Sequence, residues 1–100
     1  MLTQRIDFYF EMRKRGAFPT SNGEELPILR IEARDIYRDL LYHGPMQRSE
    51  IQAKFDMSEH TTRTLLSQMA NEGLINLAGR RPVSLKLSRH SIEFLFPALF

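Results

Sequence analysis

The sequence predicts a mainly α-helical chain closed by a small β-hairpin, and three observations carry that expectation. The stretch Ser58–Gly73, SEHTTRTLLSQMANEG, holds both a helix start signal and a helix stop signal. Ser58 is a good N-cap, because its hydroxyl accepts from the unpaired backbone N–H groups of a first turn. Gly73 takes the left-handed conformation that ends a helix without a Cβ penalty. Second, the segments before it, 2–15, 31–43 and 46–55, space their apolar residues at helical intervals. Third, alternation appears only after Gly73, where Leu74–Leu77 and Val83–Leu87 flank the turn-forming run Ala78-Gly79-Arg80-Arg81-Pro82.

One hundred residues with 42% apolar content make one small domain, enough for a single core but not for an enzyme with a deep cleft. Binding is therefore the expected class of function. Fourteen Lys and Arg against twelve Asp and Glu leave a net charge of +2. That is less lopsided than a non-specific nucleic-acid binder of this size. With no cysteine, neither a disulfide framework nor a thiolate zinc site is available. No run approaches the roughly 20 apolar residues of a membrane span, and the N-terminus is charged where a signal peptide needs an apolar core. A cytoplasmic location is expected.

Residues 2–15 should form a helix ending at Gly16. Its apolar residues, Leu2, Ile6, Phe8, Tyr9, Phe10 and Met12, spread over more than half the circumference, wider than the roughly 100° stripe that meets one core. The excess calls for a cover. Either the following loop and the chain's last residues fold over it, or another domain or a second subunit docks through Ile6, Phe8, Tyr9, Phe10 and Met12. Residues 16–27 read as a connector; Asn22-Gly23 fits a turn, but no alternating strand flanks it. The chain is thus expected to divide into a helix and connector, 1–30, and a domain, 31–100.

Residues 31–43 form the next expected helix, with Ile31, Ile36, Leu40 and Leu41 inward and Arg34, Asp35, Arg38 and Asp39 as a salt-laced solvated face. Gly44-Pro45 ends it. Met46–Phe55 supplies a short helix with Ile51 and Phe55 inward, and Asp56 provides a tight turn, since Asp tolerates positive φ. In the segment from Ser58 to Gly73, Thr62, Leu65, Leu66, Met69 and Ala70 share one arc; His60, Thr64, Ser67 and Asn71 lie opposite, flanked by Arg63 and Gln68. These outward groups are short hydrogen-bonding side chains where a solvated helix would carry Glu/Lys pairs, which suits a polar partner. In the ribbon, Leu85 and Leu87 should face inward and Ser84 and Lys86 outward. Ser88 should cap a last helical turn over Arg89–Leu95, and the aromatics of Phe96–Phe100 should pack on the first helix.

Helix, tight turn, helix and arginine-tipped ribbon, preceded by an extra N-terminal helix, is the order of a winged helix-turn-helix. On that reading the helix from Glu59 to Glu72 enters the major groove of duplex DNA. His60, Arg63, Thr64, Ser67 and Asn71 would meet base edges, and Arg80 and Arg81 would contact phosphates. So few cations bind weakly, so two copies on two half-sites are expected. The competing reading is a protein-interaction or dimerisation module. Glu59, close to where phosphates would lie, and the small net charge both favour it. His43, His60 and His90 fall on separate elements without acidic companions at ligand spacing, so no metal site is expected. No phosphate-binding glycine loop or Ser/His/Asp set occurs, and no catalytic residue or cofactor is expected.

From about Ala33 onward the chain resembles the C-terminal winged-helix region of Fic-family proteins. The likeness lies in Ser58-Glu59-His60-Thr61-Thr62-Arg63 with Leu66 and Met69, in Glu72-Gly73-Leu74-Ile75, and above all in the ending Ser91-Ile92-Glu93-Phe94-Leu95-Phe96-Pro97-Ala98-Leu99-Phe100. The helix-turn-helix part is shared with many bacterial regulators; the Phe-Pro-x-Leu ending is the more specific feature. Enzymatic members of that family transfer AMP from ATP to a hydroxyl of a target protein. Their His-Pro-Phe and Gly-Asn-Gly-Arg motifs are missing here, so no catalytic residue carries over. The resemblance implies an appended regulatory module, whose first helix would be the last helix of a link to a catalytic domain.

Overall fold

A computed structural model of the protein describes residues 2–15, 18–19, 25–88 and 92. Among these, four helices dominate: α1 (Leu2–Arg15), α2 (Glu32–His43), α3 (Arg48–Lys54) and α4 (Glu59–Asn71). Two small antiparallel pairs of strands accompany them, β1 (Phe18–Pro19) with β2 (Glu25–Leu26), and β3 (Ile75–Asn76) with β4 (Ser84–Leu85). The fold is mainly α with a small two-stranded antiparallel sheet near its C-terminal side, the class expected of the sequence.

The β1–β2 pair was not expected. Phe18 stands opposite Leu26 and Pro19 opposite Glu25, inside the stretch read as plain connector. Strands of two residues are too short to display alternation, so the pattern that betrays longer strands is absent here.

The β3–β4 pair sets Ile75 opposite Leu85 and Asn76 opposite Ser84. A third stretch of chain joins it: Met46 bridges Val83, with Met46 N–H donating to the Val83 carbonyl at 3.0 Å and the reverse bond at 2.7 Å. The segment after α2 thereby anchors the ribbon beside the helices. Val83 is fully buried and Leu85 half-buried, but Leu87 is 66% exposed, against the expectation that it faces the core. The last ladder bond runs from Lys86 N–H to the Leu74 carbonyl at 3.1 Å, one residue short of Leu87, so the inward alternation is not carried to Leu87.

The helix ends follow the local signals. Ser58 Oγ accepts from Thr61 N–H at 3.1 Å, capping α4. At its far end Leu74 N–H bonds the Met69 carbonyl and Gly73 N–H bonds that of Ala70, both at 3.0 Å, with Gly73 at φ 78°. This is a Schellman closure. α3 ends in the same way, Met57 N–H to the Gln52 carbonyl and Asp56 N–H to that of Ala53, with Asp56 at φ 50°. The expected positive φ at a non-glycine residue is there.

One cluster of buried side chains runs from α1 to the ribbon. It holds Ile6, Tyr9 and Phe10 of α1, Leu29, then Ala33, Ile36, Tyr37 and Leu40 of α2, Ile51, Met57, then Leu65, Leu66 and Met69 of α4, and Leu74, Ile75 and Val83. Residues on both sides of position 30 therefore share a single core. Phe10 packs edge-on against Tyr9, with centroids 5.1 Å apart at 85°, and against Tyr37 at 5.5 Å, geometry that aromatic quadrupoles favour.

α1 resolves its wide apolar arc by splitting it. Ile6, Tyr9 and Phe10 are buried inside this chain and cannot serve a docking partner, which corrects their expected place in such a surface. Phe8 and Met12 stay 68% and 40% exposed. The charged face of α2 also differs from a merely solvated one. Arg34 reaches Asp7 at 3.9 Å and Glu11 at 3.7 Å, and Arg38 reaches Asp7 at 3.5 Å, tying α2 to α1. The expected helical turn over 89–95, His90, and the packing of Phe96–Phe100 fall outside the described residues, apart from Ile92, whose N–H bonds the Ser88 carbonyl at 2.9 Å.

Candidate functional site

α4 presents the two faces its sequence implies. Thr62, Leu65, Leu66 and Met69 are buried, while His60, Arg63, Thr64 and Asn71 are exposed and Ser67 is half-buried. The five residues expected to meet a partner thus lie on one side of one helix, held by the burial of the other side. Burying the three large apolar side chains at about 2 kcal/mol each fixes the rotation of α4 far more firmly than any surface contact could.

Beside that face lies a groove of about 350 Å³ between α3 and α4. Arg48, Ser49 and Gln52 of α3 form one wall, Glu59, Arg63 and Ser67 of α4 the other, and Thr62, Leu66 and Leu77 complete its lining. Leu77 stands three residues before Arg80, so the ribbon rises from the groove's edge. Arg80 and Arg81 are both exposed at the ribbon's tip, where Gly79 turns the chain at φ 53°. Arg81 N–H closes the turn on the Ala78 carbonyl at 3.0 Å. Arg48, Ser49 and Gln52 escaped sequence reading, because nothing in a short polar helix marks which residues will face a neighbouring helix.

The other flank of the α4 face is bounded by the stretch 27–30. Gln68 Nε2 donates to the Ile28 carbonyl at 3.2 Å, holding this strap against α4. Beneath it sits Arg13, a fully buried arginine that sequence reading also missed. Its guanidinium forms a two-pronged ion pair with Glu72 at the end of α4, the Nη2–Oε2 arm at 2.8 Å. It also donates to Pro27 O at 2.7 Å and to Tyr9 Oη at 3.0 Å. Leu29 N–H meets the Arg13 carbonyl at 3.0 Å. One side chain therefore binds α1, the strap and α4 together.

Burial works against the Arg13 charge, but the Glu72 hydrogen bond and the neighbouring Tyr9 more than offset it, so its pKa lies above the ordinary arginine value. Burial pushes the Tyr9 hydroxyl up to about 12, opposed by the adjacent guanidinium. The sequence signal for Arg13 was positional. It continues the stripe of Ile6, Tyr9 and Phe10 at helical spacing, and a charge on a core stripe needs a buried partner.

His43 and His60 are both exposed and lie on α2 and α4. Among the described residues no three His, Asp or Glu side chains come together as metal ligands, and no helix is long and apolar enough to cross a membrane. No family model, curated protein or solved structure matches the chain.

Proposed function

We propose that the chain is a DNA-binding winged helix-turn-helix domain, with α3 and α4 as the helix-turn-helix and the β3–β4 ribbon as the wing. The observation that carries this reading is the shared surface: a polar α4 face with Arg63, the α3 wall with Arg48, and a ribbon tipped by Arg80 and Arg81. The exposed face of α4 enters the major groove, where His60, Arg63, Thr64, Ser67 and Asn71 meet base edges. The guanidinium groups of Arg48, Arg80 and Arg81 meet phosphates on either side. The resemblance to Fic-family C-terminal regions supports a role as the regulatory domain of a Fic-type adenylyltransferase or a related transcriptional regulator, working in the cytoplasm.

A second reading, docking on another protein or a second copy, draws on Phe8 and Met12, exposed one turn apart on α1. Binding to mixed-sequence duplexes at several salt concentrations separates the two. DNA binding predicts that Arg80→Ala with Arg81→Ala weakens binding on every sequence and lowers the salt slope by about one for each phosphate no longer neutralised. His60→Ala or Thr64→Ala should instead change sequence preference. No duplex binding at low salt, with self-association abolished in Phe8→Ser, would establish the second reading in its place.

A further inference from the structure

We infer that Glu59 and Arg63 act as one unit that reads a single C·G base pair, an inference that rests on the DNA-binding reading above. Among the described residues lining the groove, Glu59 is the only acid. The backbone of its turn is held in place, since Ser58 caps that turn and donates to Thr61 Oγ1 at 2.9 Å while accepting from Thr61 N–H. Glu59 Oε1 accepts from Arg63 Nη2 at 2.9 Å, and both side chains are largely exposed, 77% and 66%. The second carboxylate oxygen takes no hydrogen bond among the described residues.

A carboxylate facing phosphates is repelled, so on a DNA-facing turn the free oxygen of Glu59 finds a favourable partner on the DNA only in a base amino group. In the major groove those groups are cytosine N4 and adenine N6. Arg63 chooses between them. Its guanidinium lies beside the carboxylate and seeks acceptors next to the amino group. The partner of cytosine supplies two, guanine O6 and N7, which match a guanidinium's paired donors. The partner of adenine supplies one acceptor beside a methyl group. The Glu59–Arg63 bond also orients Arg63 before binding, so less side-chain freedom is lost when the base is met.

The test is selection from a random duplex pool with the whole chain, followed by competition binding of wild type, Glu59→Ala and Arg63→Ala. Both substitutions are on exposed positions, and circular dichroism checks that both variants fold. Wild type should select C·G at one fixed position, preferring it about tenfold or more over the other pairs. Both variants should lose that preference to within about twofold at this position alone, and Glu59→Ala should bind mismatched duplexes more tightly than wild type does. If Glu59→Ala binds every duplex more tightly with all preferences intact, Glu59 only repels and the inference is overturned. Wild type that binds duplexes without a fixed C·G position overturns the inference and leaves the DNA reading standing. Wild type that binds no duplex overturns both.

Discussion

The two flanks of α4 use arginine in opposite ways. On the α1 side Arg13 is sealed from water and holds Glu72, Tyr9 and the Pro27 carbonyl, so its charge is consumed inside the fold. On the α3 and ribbon side Arg48, Arg63, Arg80 and Arg81 are exposed, and among the described residues only Arg63 of these four has an ion pair, at the surface. The first kind of charge specifies where elements sit, because a buried ion left alone is severely penalised. The second kind contributes little to folding, since exposed pairs are worth at most about 1 kcal/mol, and stays open to a partner. A side chain's chemistry therefore does not tell its role; its burial does.

Removing Arg13 strikes this contrast hardest. Arg13→Met should cost about 3–5 kcal/mol in denaturant unfolding by leaving Glu72 buried without its partner. Arg13→Met combined with Glu72→Leu should recover much of that loss, and a double variant as unstable as the single one would show that packing rather than the orphaned charge set the cost.

Tyr9 sharpens the same side of the comparison through pH. Its folded-state pKa of about 12 lies above the ordinary 10.0. The stability it contributes is thus complete below pH 10 and is lost as pH rises from 10 towards 12, when the unfolded chain ionises first. The Tyr9 share of the loss should be on the order of 2 kcal/mol, read by thermal unfolding across that range and removed in Tyr9→Phe, while the share of Tyr37, whose hydroxyl burial also pushes up, remains.

Ser58→Ala, which removes the cap at the start of α4, should cost about 1 kcal/mol. Its effect is local, so unfolding should remain a single transition. Arg80→Ala with Arg81→Ala marks the opposite end of the scale, changing stability by less than about 0.5 kcal/mol. A large destabilisation there would erase the distinction drawn between the two flanks.

Local chemistry made much of this molecule legible in advance. Ser58, Asp56 and Gly73 act within a turn of themselves, so the end of α3, both ends of α4 and the two positive-φ closures followed from sequence. The expected helix start at Met46 did not, because Met46 pairs with Val83 and α3 begins at Arg48. Helical spacing assigned the inward arc of α4, because burial of Leu65, Leu66 and Met69 is dictated by their own apolarity. The groove was not legible, since Arg48 and Gln52 look like any solvated residues until α3 is laid against α4. Leu87 misled for a related reason: alternation says which residues share a face but not where pairing stops.

What the sequence determined by itself was the existence of the four described helices, the closures at Asp56, Ser58 and Gly73, and the polar face of α4, all consequences of interactions between residues a few positions apart. Tertiary structure alone decided that α1 belongs to the same core, that Met46 joins the ribbon, and that Arg13 meets Glu72 across 59 positions. Those outcomes depend on which surfaces meet when the chain closes, and the free energy of a buried charge is set by the neighbours it finds there, not by its place in the chain.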